Sequence, residues 1–267
     1  EWNGIQCDSL STKSVSSIDL SYNGLKNEFP SRVFKLPNLK ELNLQGNSMT
    51  FSFTGIGNAA TLESLDLEDT GLASLFGIGQ ASNLKLVRVD NNNLVSFPNE
   101  VFDLSNLEVL SLSNNDFSQQ DVPSNLQSFT LMTYFACAGC GFTGPIPFWL
   151  GSMQNLQYLK LSQNALTGTL PTVLESMAKL KHLDLSDQAT FGFGLNGNLL
   201  SFATQTDLTE VYLQHNNFQG AIPDTFLSSV RKDQLVNVDL RYNAFSGLIP
   251  AQLATFDQTL QVMLTIP

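Results

Sequence analysis

The chain has 267 residues, and its 24 acidic side chains against 13 basic ones give a formal charge of -11. Its lysines and arginines are scattered rather than clustered, so a nucleic-acid backbone or an anionic membrane surface would be repelled. No apolar run approaches the roughly 20 residues that a membrane-spanning helix needs. Two histidines and three cysteines leave few combinations for catalysis or metal binding.

The frame L-x-x-L-x-L-x-x-N-x-L begins at Val15 and restarts at Leu39, Leu62, Leu84, Leu107, Met132, Leu156, Leu180, Leu208 and Leu235, with a partial copy from Leu260. The spacings are 24, 23, 22, 23, 25, 24, 24, 28, 27 and 25 residues. A single globular core produces no such period, whereas stacked supersecondary units require one. Residues 1–14 are therefore predicted to be a partial N-terminal cap. Residues 15–267 read as one repeat array of about ten full copies and a truncated eleventh. The abrupt ends at Glu1 and Pro267, without a polar C-terminal cap, read as those of an excised or processed piece.

One copy shows how a coil forms. In Leu156 to Pro171, Leu159 and Leu161 alternate with Tyr158, Lys160 and Ser162, so a short strand buries two leucines and exposes its other face. Asn164 follows, and the same place holds Asn23, Asn47, Asn92, Asn115, Asn216 and Asn243. An amide there can donate to and accept from the backbone of neighbouring coils. Thr70, Cys140 and Gln188 occupy this ladder position in three copies and can each still donate a hydrogen bond, the thiol weakly. Leu166 and Leu170 then turn back into the core, and the strands of successive coils pair in parallel about 4.8 Å apart.

Along the chain, departures from the frame carry the functional candidates. Asp66, Glu68, Asp69 and Asp90 fall side by side on the third and fourth coils, with Arg88 among them. A solvated acidic face is the preferred reading and a calcium site the alternative. The outward column that precedes the first buried strand residue runs Ser17, Glu41, Ser64, Leu86, Val109, Tyr134, Tyr158, His182, Glu210 and Asn237. It turns apolar and aromatic from Leu86 to Tyr158, beside a floor of small residues at Ala136, Ala138 and Gly139. Contiguous exposed apolar surface marks interfaces, and tyrosine gives contact area at low entropy cost. Leu86, Val109, Tyr134 and Tyr158, with Lys160, His182 and Tyr212 at the edge, are thus the candidate recognition surface. Cys137-Ala-Gly-Cys140 falls on an inward strand position and on the ladder. Packing of two inward thiols is the preferred reading, with a disulfide or redox pair as the alternative. Register also sets Asp187 beside His215 and His182 beside Glu210, pairs better suited to stabilising neighbouring strands than to catalysis. The eighth copy, from Gln188 to Asp207, is longer and rich in Gly and Phe, and a local loop is predicted there.

The repeat resembles that of leucine-rich repeat proteins over Val15 to Pro267. Four copies add G-x-I/L-P, at Gly144 to Pro147, Gly168 to Pro171, Gly220 to Pro223 and Gly247 to Pro250. That extension is similar to the plant-type extracellular subclass of receptor-kinase ectodomains, receptor-like proteins and polygalacturonase-inhibiting proteins. The motif Trp2-x-Gly4-x-x-Cys7 resembles the second half of the same subclass's N-terminal cap. The resemblance implies an α/β fold: a right-handed solenoid whose concave parallel sheet has ten or eleven short strands, with loops or 3-10 turns on the convex side. It also implies an extracellular location and protein, peptide or glycan ligands rather than chemistry. In the family's cap, Cys7 would bond a cysteine upstream of the Trp, which this sequence does not contain. The first half follows the pattern loosely, with Glu28-Phe29-Pro30 and Ser96-Phe97-Pro98 in place of the Gly form, and no N-x-S/T acceptor occurs anywhere.

Binding by the concave sheet is the leading functional expectation, in a receptor ectodomain or secreted recognition protein. A structural segment of a larger surface or matrix assembly, and an inhibitor of a secreted cell-wall glycoside hydrolase, are the alternatives. No catalytic residue, metal site or cofactor is assigned.

Overall fold

A computed structural model describes residues 4–7, 14–189, 193–231, 236–251, 253 and 260–263. Trp2 of the N-terminal motif, Leu235 at the start of the tenth copy and residues 190–192 of the long eighth copy lie outside the described residues. The chain divides into two compact units, Glu1–Phe117 and Ser118–Pro267.

In the first unit the strands Val15–Asp19, Glu41–Asn43, Ser64–Asp66, Leu86–Arg88 and Val109–Ser111 form a parallel sheet. Their register is unslipped: Ser17 faces Glu41, Glu41 faces Ser64, Ser64 faces Leu86 and Leu86 faces Val109. The short strand Ile5–Cys7 runs antiparallel to Val15–Asp19, covering what would be an open edge. Cys7 is exposed and unpaired. On the inner face Leu42, Leu65, Val87 and Leu110 are fully packed, because period-two alternation sends them to one side of each strand. The returning chain makes 3-10 turns at Ser31–Lys35, Ile56–Asn58, Ile78–Gln80 and Asn99–Asp103. Phenylalanines fill the space behind the sheet. The Phe51 ring lies 5.7 Å from Phe29, 6.1 Å from Phe34 and 5.0 Å from Phe53, the latter two edge-on.

The second unit repeats this plan with parallel strands Tyr134–Ala136, Tyr158–Lys160, His182–Asp184, Glu210–Tyr212, Val236–Asp239 and Leu260–Met263. It adds a second parallel sheet made of Gln120–Asp121, Phe142–Pro145, Ala165–Thr169, Leu195–Gly197, Asn217–Gly220 and Ala244–Phe245. Loops and 3-10 turns were the only elements expected on this side. Four of the second sheet's six described strands come from the G-x-I/L-P copies, in which Gly144 and Gly220 adopt φ of 72° and 77°, a left-handed conformation that glycine takes without strain. A Cβ on Gly220 would stand 2.7 Å from the Asn198 Oδ1 of the adjacent strand's exit. The long eighth copy is not merely a loop. It supplies Leu195–Gly197 to this sheet and buries Phe202, whose amide and that of Ser201 donate to the Glu175 carboxylate at 3.1 and 3.0 Å. Among the described residues there is no α-helix, and none of the helices is long and apolar enough to cross a membrane.

The ladder residues bind the coils to one another. Asn47 Oδ1 accepts from the amides of Asn23 and Leu25 at 3.1 and 3.0 Å, while its Nδ2 donates to Leu20 O of the preceding coil and Leu44 O of its own. Asn92, Asn115, Asn164, Asn216 and Asn243 repeat this geometry. Gln188 also spans both coils, donating to Leu161 O and accepting from the Leu166 amide. Thr70 Oγ1 donates to Leu67 O at 2.8 Å and also lies 3.2 Å from Asn92 Oδ1 of the next coil. Asn23, exposed at the first coil, donates to Ser21 O.

Cys137 and Cys140 are both fully buried and are joined as a disulfide, with Cα atoms 5.5 Å apart. The preferred expectation of two packed thiols is corrected here, and Cys140 has no S–H to donate. The reason lies in the coil itself. The ladder asparagines from Asn47 onward each bond the carbonyl three residues earlier, as Asn164 does with Leu161 at 2.9 Å. Two cysteines at that offset both point inward at a separation that a disulfide spans. The covalent link therefore replaces the intracoil hydrogen bond.

Two outcomes follow for equilibrium denaturation. Asn164→Ala leaves two amides and three carbonyls without this partner, and should lose about 1–3 kcal/mol or more. Cys137→Ala with Cys140→Ala should lose about 2 kcal/mol or more from the opened short loop and the cavity. Cys137→Leu with Cys140→Asn, which restores the frame, should recover most of that loss.

Candidate ligand-binding face

In the second unit, unslipped pairing sets Tyr134, Tyr158, His182, Glu210 and Asn237 in one outward row, and Ala136, Lys160, Asp184, Tyr212 and Asp239 in the next. The aromatic rings form a continuous row. Tyr134 and Tyr158 are 5.7 Å apart, Tyr158 and His182 6.1 Å, and His182 and Tyr212 5.5 Å. Tyr158 is the most open of them at 37% exposure, and Tyr134 and Tyr212 are half-buried. His182 does not stand at the edge of the row but inside it, buried between two tyrosines. Its Nδ1 meets the Glu210 carboxylate, while its buried Nε2 has no hydrogen-bond partner. The Lys160 ammonium leans over Tyr134, 5.8 Å from the ring centre. Beside the row Ala136 is buried and Ala138 and Gly139 are half-buried, directly above the disulfide-linked pair.

Burial, with the charges of Glu210, Asp184 and Asp239, raises the Tyr212 phenol above its ordinary pKa, so the ring presents a neutral hydroxyl. Arg241 covers Asp239 with a two-pronged contact, Nε to Oδ1 at 3.0 Å and Nη2 to Oδ2 at 2.6 Å. His215 does not pair with Asp187; its ring stacks on Tyr242 at 4.2 Å.

In the first unit Leu86 and Val109 face each other across adjacent strands and are half-buried. The acidic group there is tied into the protein. Asp90 accepts from Ser111 Oγ at 2.7 Å and from the Ser113 amide at 2.8 Å. Arg88 approaches Asp66 at 3.8 Å, and Glu68 accepts from Asn91. No cluster of three or more His, Cys, Asp or Glu able to hold a metal occurs among the described residues. Two hollows, of about 410 and 270 Å³, share Lys40, Glu63 and Lys85 in their lining, and the smaller is lined by the recognition candidates Leu86 and Val109 as well.

The Asp and Asn residues of the second outward row have a role that strand alternation does not disclose. Asp19, Asn43, Asp66, Asp184 and Asp239 each accept from the backbone amide two residues on, closing an Asx turn where the strand ends. The recurrence of Asp or Asn immediately after the outward row and two before the turn was the available signal. At Asp66, burial dominates over the amide bond and Arg88 and raises the carboxyl pKa. The native state then binds protons more tightly than the unfolded chain, so stability falls as pH rises from the ordinary carboxylate range through the raised value. Asp66→Asn, which keeps the turn acceptor as Asn43 does, should raise the melting temperature at neutral pH. In thermal melts that advantage should vanish below the ordinary carboxylate pKa.

Models of the leucine-rich repeat match residues 146–188 and, for a second form, residues 106–129 and 207–229. Receptor-like kinase TMK2 of Arabidopsis thaliana is 28% identical over 224 residues, covering 82% of this chain and 22% of the kinase. Receptor-like protein 41 of the same plant is 29% identical over 231 residues, covering 83% of this chain and 23% of that protein. The chain thus spans less than a quarter of the length of these relatives. The leucine-rich ectodomain of the Arabidopsis receptor kinase HAESA, crystallised with an N-terminally extended IDA peptide hormone, superposes with a TM-score of 0.84 at 28% identity, over 99% of this chain and 44% of that one. Recurring leucines, the asparagine ladder and the Gly-bent second sheet agree with these matches: the chain is a leucine-rich repeat protein that resembles the plant-type extracellular subclass of that family.

Proposed function

We propose that the protein is an extracellular binding module, part of a receptor ectodomain or a secreted recognition protein, and that it takes a peptide ligand on the outward face of the second unit. The unbroken row of Tyr134, Tyr158, His182 and Tyr212 rings carries the reading. Such a row offers apolar area with few rotatable bonds, and backbone and side-chain groups of an extended peptide can lie along it. Leu86 and Val109 would extend apolar contact within the first unit. The similar ectodomain of HAESA is known with the peptide hormone IDA and the co-receptor SERK1, which supports a peptide as ligand class here. Kinase activity is not carried over, because the match covers only 22% of TMK2 and these residues are coils of repeat. Residues 1–14 as a partial cap, followed by repeats to residue 267, belong to the same proposal.

The test is selection of ligands from a random-sequence peptide display library. Tyr134→Ala and Tyr158→Ala should each weaken binding of the selected peptides roughly tenfold or more. Their melting temperatures should change little, because both side chains stand on the outward face. Wild-type binding by both variants would move the interface elsewhere.

A further inference from the structure

The outward face of the second unit is electrically lopsided. At one end Lys160 has turned toward Tyr134, although its register partner across the strands is Asp184. Asp184 consequently forms no ion pair among the described residues, and its Oδ1 accepts only from the amide and hydroxyl of Ser186, at 3.1 and 2.7 Å. Asp184 faces Tyr212 across one strand and Glu210 lies two residues before Tyr212 on the same outward side. Among the described residues the carboxylate of Glu210 is the only charge that meets His182, whose other ring nitrogen is buried and unpartnered next to the Tyr212 ring. Across the next strand Asp239 is already covered by Arg241. The half-buried Tyr212 ring is therefore bordered by two carboxylates that no lysine or arginine among the described residues neutralises.

Resting on the binding reading above, we infer that Tyr212, Asp184 and Glu210 form the subsite for a cationic side chain of the ligand, an arginine or lysine of the bound peptide, while its neighbouring residues lie over Tyr158 and Tyr134. A guanidinium or ammonium over a tyrosine face gains cation–π attraction, and the flanking carboxylates add charge-assisted hydrogen bonds. The net charge of -11 draws such a ligand toward the surface. Lys160 at the opposite end sets direction, since it disfavours the basic residue there and accommodates an acidic group or a chain carboxylate.

Peptide pools of random sequence in which one position is held as Arg, Lys, Gln or Glu test this directly. Wild-type protein should bind the Arg and Lys pools roughly tenfold more tightly than the Gln pool, the worth of one favourable cation site. Asp184→Asn with Glu210→Gln should bring the Arg and Gln pools level. The fold survives this change, because Asn43 shows that an amide closes the same turn and Gln can still meet His182. Pools that bind through Tyr134 and Tyr158 without preferring Arg or Lys would overturn the cation subsite and leave the binding face standing. An Arg preference that persists in the double variant would also overturn it. Binding of every pool that ignores Tyr134→Ala and Tyr158→Ala would instead overturn the binding face, and the subsite with it.

Discussion

One side-chain amide per coil sets the geometry on which the rest depends. As the chain leaves a strand it must turn inward, and the turn strands backbone amides and carbonyls inside an apolar stack. An unpartnered buried peptide group is costly. Asn164 answers this by accepting from Cys140 and Phe142 amides of the coil before and donating to Cys137, Leu161 and Ser162 carbonyls. Because each amide reaches one coil back, each coil is held in fixed register with its predecessor. The leucines supply most of the burial energy and fix which face of each strand turns inward, and the amide ties that strand's exit to the coil before.

Register in turn makes the outward face. When strands pair residue against residue without a shift, whatever occupies one position becomes a straight row perpendicular to the chain. Tyr134, Tyr158 and His182 touch although they are far apart in sequence, and Lys160 and Asp184 are opposed without pairing. The residue before each ladder position is forced into the left-handed region, with φ of 57° at Asn114, 55° at Gln163 and 56° at His215. Asparagine and glycine accept that conformation readily; His215 and Tyr242 accept it while stacking on each other.

Where the ladder lacks its amide, the protein uses a different chemistry at the same offset. The Cys137–Cys140 bond closes the turn covalently under Ala138 and Gly139, the small residues beside Tyr134. The disulfide holds this coil shut where a ladder asparagine bonds the carbonyl three residues earlier in its own coil.

The repeat, its coil length, the inward leucines and the rows of the outward face were legible in the sequence, because a period of two within strands and of about 24 between them admits one register. The ladder asparagines were legible for the same reason, each recurring at a constant offset from the buried leucines. The second sheet was not, since its strands are two to five residues long and carry no alternation of their own; the stacking of coil on coil brings their backbones within bonding distance. Sequence favoured packing of the two cysteines over bonding, and the turn geometry that brings them to bonding separation decided otherwise. Rotamer choice settled the remainder: Lys160 over Tyr134 rather than Asp184, His182 enclosed between tyrosines, Arg241 folded onto Asp239. Such choices depend on neighbours one coil away, and a one-dimensional pattern ranks positions without ranking the contacts a flexible side chain selects among them.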